Sequence, residues 1–193
     1  MNGVDVFQTG IAPEWIDYNG HLRDAYYSLI FSLATDALMD RVGLDEAYRT
    51  RTRCTLYTLE MHIHFLHEVM KTDVVDVKVR ILGTDRKRIH AALDLRCARY
   101  PDPVATAELM LLHVHQGDEP KAEAFPPEVV EALARVAAES VGSTTTTDAS
   151  QSAGATKAGA SGPGASRAAG STPPAAPAST IPGSRRMELR SRS

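Results

Sequence analysis

The sequence predicts an α+β fold in which an antiparallel sheet wraps around one long helix, and three observations carry that prediction. A helical run from near Gly20 to about Val42 is apolar on more than one face, so it needs cover nearly all round. The hydrophobic period then switches from 3.6 to 2. The links between strands after Asp73 are too short to hold helical crossovers, which leaves antiparallel pairing.

Taken in order, residues Val4 to Tyr18 contain an alternating stretch that ends where Pro13, Asn19 and Gly20 break regular structure. In the long helix Leu22, Tyr26, Leu29, Ile30, Leu33 and Ala37 recur at three- and four-residue spacing, with Tyr27, Phe31 and Leu38 on another side. Gly43 is placed to cap its C-terminus. The first strand after the helix sets Leu59, Met61, Ile63 and Phe65 against Glu60, His62 and His64. Two more strands follow, Val75 to Ile81 and Ile89 to Cys97, joined by the polar link Gly83 to Lys87. After the turn at Tyr100 to Pro103, Val104 to Val114 is apolar on both faces apart from Thr106 and Glu108, as a central strand would be. An amphipathic helix from Pro127 to about Ser140, through Val129, Val130, Leu133 and Val136, closes the pattern.

The 193 residues hold one ordinary domain, 1–141, and an excess. Segment 142–193 has 7 of the 13 glycines and 5 of the 11 prolines but no aromatic residue. It lacks the apolar bulk to offset roughly 1 to 2 kcal/mol of backbone entropy per residue, so the sequence predicts a disordered tail there. Its six basic and two acidic residues leave the domain at about −7 out of a total of −3. That balance argues against nucleic acid as a partner, although a local basic cluster can still hold a small anion. No long apolar run or basic-then-apolar leader occurs, so a cytoplasmic protein without a membrane partner is expected. Cys54 and Cys97 lack paired spacing and read as buried free thiols.

The residues richest in chemistry are Asp17 to Tyr27, "DYNGHLRDAYY". They set a carboxylate just ahead of a helix start and a glycine where the chain turns into it. The first turn of a helix exposes unpaired N–H groups and a partial positive charge. A carbonyl docked on the amides near Gly20 and His21 would become electrophilic, with Asp17 near enough to attack it or activate a water. On spacing alone the plainer reading, an N-cap carboxylate and a turn glycine, is the stronger.

The spacing of Asp17, Gly20, His21 and Tyr27, ahead of an apolar helix, resembles the active-site segment of hot-dog fold acyl-CoA thioesterases of the 4-hydroxybenzoyl-CoA thioesterase family. The likeness extends from about residue 5 to 125. It departs at Arg23 and Asp24, where many members carry paired asparagines. The resemblance implies hydrolysis of an acyl-CoA thioester without serine, cysteine or metal, and without a cofactor beyond the coenzyme A of the substrate. Asp17 would be nucleophile or general base, and the amides of Gly20 and His21 would polarise the carbonyl. It also implies sites at subunit interfaces, hence a homodimer or homotetramer.

The cluster "DRKRIH" then offers Arg86, Lys87 and Arg88 to the coenzyme A phosphates, against an equal reading as a solvated hairpin turn. Trp15, Tyr18, Tyr26, Tyr27 and Tyr57 could present ring faces near Asp17, which would suit a quaternary ammonium group, although plain packing explains them more simply. Among these Trp15, Tyr18 and Tyr27 are candidates for substrate binding. Glu60 is a further candidate, as a second carboxylate, beside its reading as an exposed strand residue. The strings "WIDYNGHLRDAYY", "LYTLE", "RKRIH" and "ATAELMLLHV" also resemble thioesterases of carnitine and betaine catabolism, which act on betainyl-CoA.

Two other patterns compete. "HIHFLHE" has cupin-like metal-ligand spacing at His62, His64 and Glu68, but Leu56 and Val75 stand where cupin glycines belong, so no metal is expected. A hot-dog enoyl-CoA hydratase would need Asp-x-Asn-Pro-x-His, whereas Gly20 replaces the proline and His21 arrives one residue early. A non-catalytic acyl-CoA-binding module on the same fold is the remaining alternative.

Overall fold

In a computed structural model that describes residues 3–142, the chain forms six strands, three α-helices and one 3-10 turn at Pro13–Trp15. Residue 142 ends the last helix; the remainder of the predicted tail lies outside the described residues.

The strands are β1 (Val4–Gly10), β2 (Cys54–Phe65), β3 (Val74–Thr84), β4 (Arg88–Cys97), β5 (Ala105–His115) and β6 (Lys121–Ala122). The long strands pair antiparallel in the order β1-β3-β4-β5-β2, with β6 on β5. The alternation read from β3 and β4 holds, because Val75, Val77, Val79, Ile89, Ala91, Leu93 and Leu95 are all buried. β5 lies inside the sheet, between β4 and β2, as its two apolar faces require. β6 is too short to leave a periodic signal. Both cysteines are buried free thiols.

The central helix α1 spans Asp24–Arg41. It starts four residues later than expected from Gly20, because residues 16–22 fold back on themselves first: Ile16 bridges Leu22, and the Asp17 N–H donates to the His21 carbonyl at 2.8 Å. Its buried face is Tyr27, Ile30, Phe31, Ala34, Thr35 and Leu38. The periodic face read from the sequence is only partly covered: Leu22 and Ile30 are buried, Tyr26, Leu33 and Ala37 half-buried and Leu29 exposed, while Tyr27, Phe31 and Leu38 on the other side are all buried. The C-terminus closes as predicted. Gly43 takes φ 80, its N–H bonds the Asp40 carbonyl, and the Leu44 N–H reaches back to Met39 at 2.9 Å.

A second helix, α2 (Glu46–Thr52), went unread because seven residues hold too few apolar positions to set a period. Asp45 caps it through the Tyr48 N–H at 2.8 Å, and Tyr48 donates its hydroxyl to His113 Nε2 at 2.9 Å. The His113 Nδ1–H donates in turn to the Glu123 carbonyl at 3.0 Å, so the imidazole ties α2, β5 and the lead-in to α3 (Pro127–Gly142) together. In α3, Val129, Leu133 and Val136 are buried, while Val130 is exposed.

β2 forms one edge of the sheet. A bulge at Leu59 leaves that residue without a cross-strand partner, and Leu59, Phe65 and Leu66 are all about half exposed. Since β2 pairs with β5, the chain must cross the end of the sheet to reach β3, and that crossing carries residues 66–73 past the entrance of α1.

Candidate active site

The site begins with a single turn. Asp17 uses nearly all its polar atoms on residues 19–21: its carbonyl accepts the Gly20 N–H at 3.1 Å, while Oδ1 accepts the N–H groups of Asn19 at 2.8 Å and His21 at 3.0 Å. Oδ2 takes only a longer bond, from the Asn19 side-chain amide at 3.3 Å. Gly20 allows the reversal through φ 88; a Cβ there would meet nothing within 4 Å, so the requirement is conformational and not steric. The His21 N–H, with the Asn19 donors behind it, holds the Asp17 carboxyl below the usual aspartate range.

This arrangement corrects one expectation. The amides of Gly20 and His21 are not open donors, since both are engaged by Asp17. The true first turn of α1 opens at Asp24, where the Ala25 N–H donates to Asp24 Oδ1 at 2.8 Å and the Tyr26 N–H to the Arg23 carbonyl at 3.0 Å, so what this helix end offers is chiefly its partial positive charge.

The crossing segment supplies the opposite wall. The Leu22 N–H donates to the Val69 carbonyl at 2.8 Å, His21 bridges Met70, and Val69 is fully buried. Asp73 fixes the far end by accepting the Met70 N–H at 2.8 Å and pairing with Arg99 at 2.7 Å. Between the two walls lies a cavity of about 310 Å³, lined on one side by His21, Leu22, Asp24 and Tyr27 and on the other by Phe65, Leu66, His67 and Glu68. His21 Nε2 stands 3.3 Å from Glu68 Oε2. Tyr27 and Phe65 meet edge to face at 5.1 Å, and burial pushes the Tyr27 hydroxyl up to about 12, so it stays protonated. Asp17 is not itself on the cavity wall; it stands directly behind His21.

The remaining candidates scatter. Trp15 stacks on Tyr26 at 5.6 Å, Tyr18 is 94% exposed, and Tyr57 lies on β2, so the five aromatics form no single cage. Glu60 is exposed and sits on the opposite face of β2 from Met61 and Ile63, away from the cavity. Of the basic hairpin, Arg88 is bound to Asp85 at 2.6 Å, whereas Arg86 and Lys87 are exposed. The hairpin and the cavity occupy opposite ends of the sheet: Arg88 faces Leu112 and Phe65 faces Ala105, seven residues apart on β5, or roughly 23 Å.

Glu68, His67, Phe65 and Asp24 were not anticipated as partners in one cavity, because only the crossing brings 65–68 to the helix entrance. The cupin-like spacing dissolves for the same reason. His62 and His64 stay on the sheet while Glu68 turns to His21, and among the described residues no group of three or more such side chains is disposed to hold a metal ion.

A curled antiparallel sheet around one long helix, with a carboxylate turn at that helix's entrance, defines the hot-dog class of acyl-CoA thioesterases. The chain belongs to the thioesterase-like superfamily, whose pattern its residues 11–133 match. It is 49% identical over 134 residues to the betainyl-CoA thioesterase of Pseudomonas aeruginosa, covering 68% of this chain and 84% of that one. It is 39% identical over 131 residues to the L-carnitine dehydrogenase/betainyl-CoA thioesterase of Agrobacterium fabrum, covering 66% of this chain but 26% of that longer protein. Among solved structures, a Staphylococcus aureus protein in complex with CoA superposes with a TM-score of 0.67 at 29% identity, over 77% of this chain and 92% of that one. The protein is thus an enzyme that hydrolyses acyl-CoA thioesters.

Proposed function

We propose that this thioesterase acts on betainyl-CoA, releasing betaine and free coenzyme A, with Asp17 as the nucleophile. The substrate reading is carried by the 49% identity to the Pseudomonas aeruginosa betainyl-CoA thioesterase across 84% of its length. The role of Asp17 follows from its hydrogen bonds. A carboxylate whose Oδ1 is saturated by two backbone N–H groups is held ionised and is a weak base, which favours direct attack by the freer Oδ2 over activation of a water.

In this mechanism Oδ2 bonds to the thioester carbonyl carbon, the C–S bond breaks, and coenzyme A leaves as a thiolate that takes a proton from water. A second water then cleaves the mixed anhydride, giving the carboxylate product and restoring Asp17. The oxyanion that forms in each step is stabilised by the partial positive charge at the N-terminus of α1, in place of the engaged amides of Gly20 and His21.

Coenzyme A spans the distance from the cavity to a phosphate site, and we assign the phosphates to the Arg86–Lys87 hairpin of a second subunit. A twelve-residue edge strand with exposed apolar side chains needs a partner, and the half-covered stripe of α1 needs one too. Antiparallel pairing of two β2 strands about their midpoint sets the cavity end of one subunit beside the hairpin end of the other.

Thiol release from betainyl-CoA by wild type, Asp17→Asn and Asp17→Ala tests the chemistry. Asparagine still accepts both backbone amides, so Asp17→Asn should fold normally yet lose about 10²–10⁴-fold in kcat/KM. Wild-type-like turnover by a folded Asp17→Asn enzyme would remove Asp17 from the mechanism.

A further inference from the structure

We infer that the trimethylammonium group of the substrate is selected by the Phe65–Glu68 wall of the cavity, with Phe65 and Tyr27 supplying ring surface and Glu68 and Asp24 the opposing charge. The inference rests on the betainyl-CoA reading and assigns it to residues. A quaternary ammonium carries no N–H, so it cannot be recognised by hydrogen bonds. It is held by ring faces and by nearby negative charge. The cavity offers both: two aromatic side chains in contact at 5.1 Å and two carboxylates, with neither lysine nor arginine among the residues that line it.

The nearby guanidinium groups are committed elsewhere. Arg23 Nε donates to the Ile16 carbonyl at 3.3 Å, and Arg99 pairs with Asp73 at 2.7 Å. Glu68 has one basic neighbour, the His21 imidazole at 3.3 Å, and its side chain is 67% exposed, so it can turn toward a bound cation. The volume of about 310 Å³ suits a compact head group and lies at the small end for ligand pockets.

Location matters as much as composition. In a betainyl group the nitrogen and the carbonyl carbon flank one methylene, which puts them about 2.5 Å apart by ordinary bond lengths and angles. Whatever selects the cation must therefore adjoin the site of attack. The cavity meets that condition, because His21 on its wall donates its N–H to Asp17 at 3.0 Å.

The test compares betainyl-CoA with its uncharged isostere 3,3-dimethylbutyryl-CoA, which replaces the nitrogen by carbon at nearly constant shape. The comparison uses the full-length enzyme and its variants Glu68→Gln and Phe65→Leu. Wild type should prefer the charged substrate in kcat/KM. Each variant should lower that preference, read as the ratio of the two kcat/KM values, by about tenfold. Both positions are exposed, so folding is not at risk, and a general catalytic defect would cancel in the ratio. Equal turnover of the two substrates by wild type would overturn the cation site. So would a preference that survives both substitutions. Hydrolysis of neither substrate would overturn the betainyl reading beneath it, and this inference with it.

Discussion

Asp17 closes its own turn with the same carboxylate that we propose as the nucleophile, and that double duty sets its pH behaviour. Its folded-state pKa lies below the ordinary aspartate value of 3.8, so the stability it lends the turn is complete above that value and is lost as pH falls through the lower folded one. In the nucleophilic reading the ionised fraction follows the same curve. The acid limb of kcat/KM due to Asp17 should therefore lie below the normal aspartate range, and a limb above it that disappears in Asp17→Glu would contradict the assignment. Asp17 was singled out as a catalytic candidate by the family resemblance, whereas Gly20 as a turn residue was legible in the sequence and takes φ 88. The direction of the amides was not. Whether an N–H faces a ligand or its own carboxylate depends on a φ of 88 at Gly20 that no periodicity encodes.

At the scale of elements, the C-terminal half of α1 makes two separate predictions. Gly43 sits at φ 80 with open space where a Cβ would stand, so Gly43→Ala should cost about 1–2 kcal/mol through backbone conformation alone, read as a lower urea midpoint at unchanged slope. Two turns earlier, partial burial and the neighbouring Asp40 push the Asp36 carboxyl above its usual range. A raised carboxyl pKa means destabilisation at neutral pH that fades as pH falls through the folded pKa. Asp36→Asn should therefore raise Tm by about 1–2 °C at pH 7, given roughly 0.2–0.5 kcal/mol for a like-charge i,i+4 pair, with the gain vanishing in acid. An equal gain at both pH values would show that repulsion is not the cause. The strands were read correctly because a sheet with one covered face repeats every two residues. The two apolar sides of α1 were legible, but not which of them meets its own sheet, since a helix apolar on two sides does not say.

For the whole molecule, the separation of the basic hairpin from the cavity leads to a complementation experiment. In the proposed dimer each site joins Asp17 of one subunit to Arg86 and Lys87 of the other. Asp17→Ala homodimers should be inactive and Arg86→Ala/Lys87→Ala homodimers should have a raised KM. The mixed dimer should regain one intact site, with about half the wild-type kcat and a wild-type KM. If the phosphates were bound within one subunit, the mixed dimer would contain no intact site and would keep the raised KM. Leu59→Lys on the exposed edge should shift the protein toward monomer in sedimentation and reduce activity in step.

Composition and periodicity by themselves determined the α+β class, the long helix capped at Gly43 and the strands β3 to β5, because each of these is written in neighbouring residues, and the family resemblance singled out Asp17. Only the tertiary structure decided what shares a cavity with that helix entrance. Phe65, His67 and Glu68 lie more than forty residues from Asp17, and they reach the entrance of α1 because β2 pairs with β5 and forces the chain across the end of the sheet. Strand order follows from the summed burial of the whole core, so no local pattern reports it, and the composition of the cavity follows from strand order.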